Sequence, residues 1–473
     1  MTDLLVGADR LGLRLRSASG AFAGPVDVLA NGRRIWSVSV EVPDDVDGTV
    51  VEWPPALLPH LQGTGRVDLR DPVSGSILAG TQVDFGGGDQ PFDVRDASGR
   101  PLAVTKWGSL GPSIEGGGPD LGERMLDRTA QLVEDLRAEG ETPFIIGGTL
   151  LGAVRTGRLL PHDDDTDVAV LAPPDQSPAD LVLASLELQR RLEARGYLVV
   201  RHSHAHLQIT FLQDDGTTDH YIDIFTAFYR DGYFYEPLAM QVEAGAVTIE
   251  PLSELDLEGR RFPAPADPEG WLAACYGPGW RTPDPSFVFE VPERTTRRFW
   301  NWFGTFNFQR TYWTAAHAGR EEHGADVESL ALCFPEGGRV VDVGAGRGRV
   351  ARGLAATGRS VLACDFTFPA LAALRSLPGV EARWVNLNDR MSVLDLALRV
   401  RQEPEPCSFY LGHVYETLSG DAKENVLLLL SRSLRPGAVA IVDIYTELAA
   451  DYSFDDPGTW HCEPEALAAS SRA

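Results

Sequence analysis

The chain has 473 residues, 43% hydrophobic and 23% charged, with a formal net charge of −26. That length exceeds what one hydrophobic core supports and predicts about three domains of ordinary globular composition. The acidic balance excludes a surface built for a nucleic-acid backbone, which it would repel. No run of 18 apolar residues exists, so no transmembrane segment is expected, and the opening MTDLLVGADR lacks the basic-then-apolar pattern of a signal peptide. Five scattered cysteines without CxxC spacing suggest buried small hydrophobes in a reducing cytoplasm. Lysine occurs only at Lys106 and Lys423, so arginine is left to make any local phosphate contact.

Residues 1–112 alternate apolar and polar positions in short runs, LGLRLRS, PVDVLA, RIWSVSVEV, TVVEW, RVDLR and ILAGTQVDF, with Asn31-Gly32 as a hairpin signal. The pattern predicts a β-sandwich of about seven strands with no catalytic constellation, an accessory domain that packs on a catalytic unit or binds a glycan. A Gly-rich linker, Trp107 to Asp120, follows. Leu121 to Glu139 then carries a helical apolar stripe closed by Gly140, leading into a strand at Pro143 to Ile146.

That strand opens the most informative stretch of the chain, FIIGGTLLGAVRTGRLLPHDDDTDVAV (144–170). Gly147-Gly148-Thr149 ends the apolar run, and a turn-rich link with Arg155 and Arg158 is expected next. Asp163, Asp164, Asp165 and Asp167 then crowd into five positions. Carboxylates this dense repel one another unless a cation sits among them. In extended chain alternate residues share a face, so Asp165 and Asp167, and Asp163 with them, can address one metal. An acidic surface turn is the competing reading.

Beyond a second helix (Asp180 to Arg195), His202, His204 and His206 alternate, but no cysteine or carboxylate joins them at ligand spacing, which favours pocket-lining or surface roles. In HYIDIFTAFY (220–229), Asp223 stands alone in an apolar strand, a costly place for a charge unless it is paired or metal-bound.

GTLLGAVR (148–155), PHDDDTDV (161–168), YIDIF (221–225) and EGRRFPAP…WLAACYGPGWRTPDP (258–285) together resemble the LicD family. Its members include phosphocholine transferases and fukutin-type ribitol-phosphate transferases, and they share a nucleotidyltransferase-like fold. His162 and Thr166 stand where the family usually has Trp and Ile. The resemblance implies Mg²⁺ or Mn²⁺ on Asp165, Asp167 and Asp223, a CDP-activated alcohol as donor, and a sugar or polyol hydroxyl as acceptor. Phosphoryl transfer needs positioning and charge neutralisation more than covalent help. Gly147, Gly148 and Thr149 are expected to let backbone approach the phosphates. Arg155 and Arg158 are expected to donate to phosphate oxygens, and Asp163 or Asp223 to serve as general base.

Glu293 to Ala325 is aromatic and basic, and in so acidic a chain it reads as a helical connector burying its rings. GRVVDVGAGRGRVARGLAATGRSVLACDFT (338–367) follows, a strand ending at Asp342, then Gly344, Gly346 and Gly348, a helix, and a second strand ending at Asp365. This is a nucleotide-binding strand–turn–helix with an acid about 20 residues on for ribose hydroxyls. Arg349 breaks the dinucleotide glycine spacing, and the run instead resembles class I S-adenosylmethionine-dependent methyltransferases. On that resemblance ARWVNLND (382–389) supplies a third strand with Asn388 or Asp389 near the adenine, while FYLGHVYETL and LRPGAVAIVDIY supply strands four and five. Strand four lacks an acidic start, and the domain reads as shortened, without its closing pair of strands.

The chain is thus expected to be multidomain: a β-sandwich (1–112), a LicD-like α+β nucleotidyltransferase-fold domain (119–290), an aromatic helical connector (291–330) and an α/β Rossmann-like methyltransferase domain (331–473). The expected function is metal-dependent phospho-alcohol transfer to a cell-surface glycan or its precursor, coupled to S-adenosylmethionine-dependent methylation. The alternative is nucleotidyl transfer to a small acceptor, with the C-terminal domain a scaffold.

Overall fold

The computed structural model describes residues 4–17, 20–43, 48–88, 90–96, 99–105, 108–112, 114, 120–213, 218–237, 240–284, 287, 291–319, 326–454 and 456–470. Half of the Gly-rich linker (107, 113, 115–119), residue 285, the end of the aromatic stretch (320–325) and 471–473 lie outside the described residues. The chain forms two compact units, 1–210 with 220–303 and 211–219 with 304–473.

The alternating runs of the first hundred residues become two antiparallel sheets. Strands β1 (Leu4–Asp9), β2 (Gly12–Ser17), β3 (Phe22–Ala30), β4 (Arg33–Val42), β5 (Thr49–Glu52), β6 (Thr64–Arg70) and β7 (Ile77–Asp84) divide into the orders β1-β2-β5 and β4-β3-β6-β7. One core serves both sheets, with Leu13 and Leu15 from the first and Val26, Val28, Ile35, Val67 and Leu69 from the second. Asn31 (φ 48°) and Gly32 (φ 86°) make the left-handed turn between β3 and β4 that the Asn-Gly pair predicts. Asp27, buried in this domain, is satisfied by Arg70 at 2.8 Å and Ser37 Oγ at 2.7 Å. A two-stranded ribbon, β8 (Ala103–Val104) and β9 (Leu110–Gly111), follows.

The central region begins with α1 (Leu121–Ala138), whose buried Leu121, Met125, Leu132, Val133 and Leu136 form the expected stripe. Then come β10 (Pro143–Ile145), α2 (Gly147–Thr156), β11 (Asp165–Leu171), α3 (Pro178–Ala194), β12 (Val199–Ser203), β13 (His206–Leu212) and β14 (Thr218–Arg230). The sheet runs β10-β11-β14-β13-β12, extended from β14 by β15 (Tyr233–Glu236) and β16 (Met240–Glu243). The link expected to be turn-rich between residues 147 and 156 is instead the helix α2. A Gly-Gly pair reads as a breaker, but here it occupies the first helical turn, where glycine interrupts nothing, and the apolar LLGAV behind it packs inward. The hairpin β17 (Ser253–Leu257) and β18 (Arg260–Ala264) and the helix α4 (Pro268–Tyr276) complete this region. In the same unit α5 (Glu293–Phe303) buries Phe299 and Phe303 against Phe228, Tyr235 and Leu181.

The aromatic connector is not a single body. Its second helix, α6 (Arg310–Gly319), belongs to the C-terminal unit. That unit continues with α7 (Val327–Cys333), β19 (Arg339–Val343), α8 (Arg349–Ala356), β20 (Ser360–Asp365), α9 (Phe368–Arg375), β21 (Val380–Trp384), α10 (Arg390–Arg401), β22 (Ser408–Gly412), α11 (Gly420–Ser433), β23 (Ala440–Asp443) and α12 (Pro464–Ser470). Its five strands, all parallel, lie in the order β21-β20-β19-β22-β23. The order reverses between β19 and β22, the switch point at whose carboxyl ends doubly wound sheets bind ligands.

Candidate functional site

Register builds the first site. In the parallel pair β11–β14, Asp167 lies opposite Asp223 and Asp165 opposite Tyr221, so all three carboxylates emerge from one face. Asp165, Asp167 and Asp223 are buried, with ligand oxygens all within 4.8 Å of one another. Three buried like charges at that separation require a counter-charge. A divalent cation fits this oxygen set, and the predicted triad is brought together.

The Gly-Gly-Thr segment holds the aspartates. Gly148 N–H donates to Asp167 Oδ2 at 3.2 Å, and Thr149 Oγ1 accepts from Asp167 N–H at 2.9 Å. A Cβ on Gly147 (φ 56°) would overlap the Asp167 carboxylate, and one on Gly148 would overlap that of Asp163. These glycines are therefore required by side chains that press on the start of α2. Thr166, the departure from the family pattern, is buried and shares a 2.8 Å hydrogen bond with Thr129 of α1. Tyr221 donates to Asp164 Oδ2 at 2.9 Å, and its pKa is raised well above the usual phenol value by burial first and by Asp165, Asp164 and Asp223 next.

The arginines depart from expectation. Arg155 sits in the last turn of α2, eight residues and about 12 Å along the axis from Gly147. Its Nη2 donates to the backbone carbonyls of Trp280 and Thr282, so it braces the segment after α4. Arg158 is exposed in the following loop.

The histidines depart too. The strand order sets β13 beside β14, and His202, His206 and Asp223 bring ligand atoms within 4.8 Å of one another. His206 Nε2 lies 3.2 Å from Asp223 Oδ1, and Gln208 Nε2 donates to the same oxygen at 3.1 Å. The His206 ring is stacked between His202 (centroids 4.5 Å apart) and Phe225 (4.3 Å). Burial pushes the Asp223 pKa up, but His206, His202 and Gln208 outweigh it and hold the carboxyl below its ordinary range. His204 is turned away, beside Arg201 Nη1 at 3.3 Å. Ligand spacing read along the chain missed the carboxylate that joins these histidines, because it stands on the neighbouring strand. Glu236 on β15 was missed as well; it is 3% exposed, and burial first and Asp167 second raise its pKa well above the usual value.

The second site is a cavity of about 480 Å³ at the carboxyl ends of β19, β20 and β22, within the range of small-molecule sites. Asp342, Gly344, Gly346, Asp365 and Asn388 line it. Gly344 (φ 71°) lies so close to Val414 that a Cβ would overlap it, and Gly346 N–H donates to Asp365 Oδ2 at 3.1 Å. The other oxygen of Asp365 accepts from Thr367 N–H and Oγ1 at 2.8 and 2.9 Å. A nucleoside cofactor fits this space, with a glycine floor and a fixed carboxylate. Two assignments change. Gly348 (φ 89°) caps α8 and makes room for Leu374 and Leu377. Asp389 caps α10 through Met391 N–H at 2.9 Å and does not line the cavity. Asn386, Tyr410, His413 and Tyr445 line it without having been singled out from the sequence.

The buried carboxylates thus stand on adjacent parallel strands, beside a helix opened by glycines. Residues 140–267 match the family model LicD/FKTN/FKRP, nucleotidyltransferase domain. That match accounts for 128 of the chain's 473 residues. No curated protein matches the chain. Among solved structures it is similar to an S-adenosylmethionine-dependent methyltransferase of Anabaena variabilis (16% identity, 29% of this chain and 60% of that one, TM-score 0.25). It is also similar to a TehB-like methyltransferase of Corynebacterium glutamicum (17%, 35% and 79%, TM-score 0.23). A third is the 1,6-didemethyltoxoflavin-N1-methyltransferase of Burkholderia thailandensis (19%, 31% and 64%, TM-score 0.23). The chain thus spans less than two thirds of the Anabaena protein, and its C-terminal fold is defined by its own strand order. Among the described residues no helix is long and apolar enough to cross a membrane.

Proposed function

We propose that the central domain transfers a phospho-alcohol from a CDP-activated donor to a hydroxyl of a glycan or polyol, and that the C-terminal unit methylates donor, acceptor or product with S-adenosylmethionine. The observation that carries the first half is the register of Asp167 against Asp223, with Asp165 two residues away on the same face. These three would hold Mg²⁺ or Mn²⁺. Such a cation would supply positive charge for the donor's phosphate oxygens. Gly148 N–H and Thr149 Oγ1 fix Asp167, and His206 with Gln208 fixes Asp223. Asp163, lying against Gly148, stands outside the triad and takes the proton of the acceptor hydroxyl. Arg155 has a structural part in this reading.

The second half rests on the glycine-floored cavity at the switch point, where Asp365 and Asn388 face the nucleoside. S-adenosylmethionine supplies a methyl group on a sulfonium centre. Mass spectrometry of products formed by the full chain from a panel of CDP-alcohols, with and without S-adenosylmethionine, tests both halves. A phospho-alcohol product that gains 14 mass units only with the cofactor supports the reading. Transfer of a nucleotidyl group instead would refute the first half, and the absence of methylation the second.

A further inference from the structure

In the lining of the cavity one residue is held in a conformation its type rarely adopts. His413 follows β22 with φ 54°, in the left-handed region. Outside glycine that region is populated mainly by Asn, Asp and His, and strain there gathers at working sites. Three contacts fix the residue. Its backbone N–H donates to Asp443 O at 2.9 Å. Its ring stacks on Tyr445, with centroids 3.9 Å apart and planes 14° from parallel. Its Nδ1 lies 3.2 Å from Oε1 of Glu416.

Glu416 is 1% exposed, and its Oε1 also accepts from Tyr445 N–H at 3.0 Å. A buried carboxylate at this distance places the imidazole proton on Nδ1, which leaves the Nε2 lone pair as the basic position. His413, Tyr445, Asp342, Gly344 and Asp365 all line the one cavity.

We infer that His413 is the proton acceptor in a methyl transfer to a hydroxyl group, with Glu416 as its positioning residue. The inference rests on the reading that this cavity binds S-adenosylmethionine. As the C–S bond of the sulfonium breaks and the new O–CH₃ bond forms, the hydroxyl proton passes to Nε2, and the sulfonium leaves as a neutral thioether. An alcohol or phenol needs such a base, because its oxygen is a poor nucleophile while protonated. A neutral amine attacks through a free lone pair and needs none, so the dyad points to O-methylation. Phe308, Trp313 and Tyr445 in the lining supply flat apolar surface for a sugar face or a phenol ring.

The test uses the full chain, methyl-tritiated S-adenosylmethionine and a panel of phenols, polyols and sugar phosphates. His413→Gly keeps the left-handed backbone without strain. The expected result is a 10²–10⁴-fold fall in methyl transfer, calorimetric affinity for S-adenosylmethionine within threefold of the parent, and recovery on adding imidazole. Glu416→Gln should lower the rate 10–100-fold, and ¹⁵N NMR of His413 should show the proton no longer confined to Nδ1. Unchanged rates in both variants would overturn the inference while leaving cofactor binding intact. Methylation of amines alone would overturn it too. Absence of S-adenosylmethionine binding by the parent would overturn the reading beneath it.

Discussion

The two candidate sites solve recognition in opposite ways. In the central domain charge is concentrated and space is scarce: three buried carboxylates converge, and a methyl on Gly147 or Gly148 would run into a fourth or into one of the three. In the C-terminal unit space is reserved and charge is dispersed: glycines at 344 and 346 open a cavity with the Asp365 carboxylate fixed at its side. The first site is built to be completed by a cation, the second by a molecule of defined shape. Mutations should therefore act through electrostatics in one and through volume in the other.

The largest effect is expected from the triad. Asp165→Ala or Asp167→Ala should abolish phospho-transfer, by 10³-fold or more in a radiolabel assay, while the metal-free protein melts no lower than the parent, because one of three repelling charges is gone. Near-normal turnover in either variant would break the comparison. Next, Gly148→Ala should cost about 10–100-fold in turnover by displacing Asp163, with the methyl-transfer rate unchanged. Asp365→Ala should weaken S-adenosylmethionine binding by about tenfold or more, read by calorimetry, and leave phospho-transfer alone. Loss of both activities would show coupling between the units.

The smallest effect is a stability effect at Glu236. Burial and then Asp167 raise its pKa, so the stability it contributes is fully present below the unfolded value of about 4.3. It is lost as pH rises toward the folded value. Glu236→Gln carries no such penalty, and in metal-free protein it should melt higher than the parent at pH 7 by roughly 2 °C, with the gap closing below pH 4.

What was legible in the sequence follows from the range of the interactions involved. Alternation gave the two N-terminal sheets, and the spacing of Asp165 and Asp167 gave two of the three clustered carboxylates on one face, because both depend on neighbours along the chain. Asp223 was legible as a charge out of place in an apolar strand. The helix α2 was not, since the two glycines that open it look like a break until the aspartates that need the space are in position. His206 beside Asp223, and Tyr445 stacked on His413, depend on strand order and on loops meeting across a sheet. No spacing along the chain encodes those meetings. Arg155 shows the reverse error, a residue type suited to phosphate that its helix carries away from the site and sets to work on backbone carbonyls.

The central claim is that Asp165, Asp167 and Asp223 form a divalent-cation site. Titration of Mn²⁺ into the metal-free full chain, followed by electron paramagnetic resonance and by the melting temperature, tests it most directly. Saturable binding is predicted, with stabilisation of about 2.7 kcal/mol at a hundredfold excess over Kd, both lost in Asp167→Ala and in Asp223→Asn. Equal Mn²⁺ binding by the parent and both variants would contradict the account.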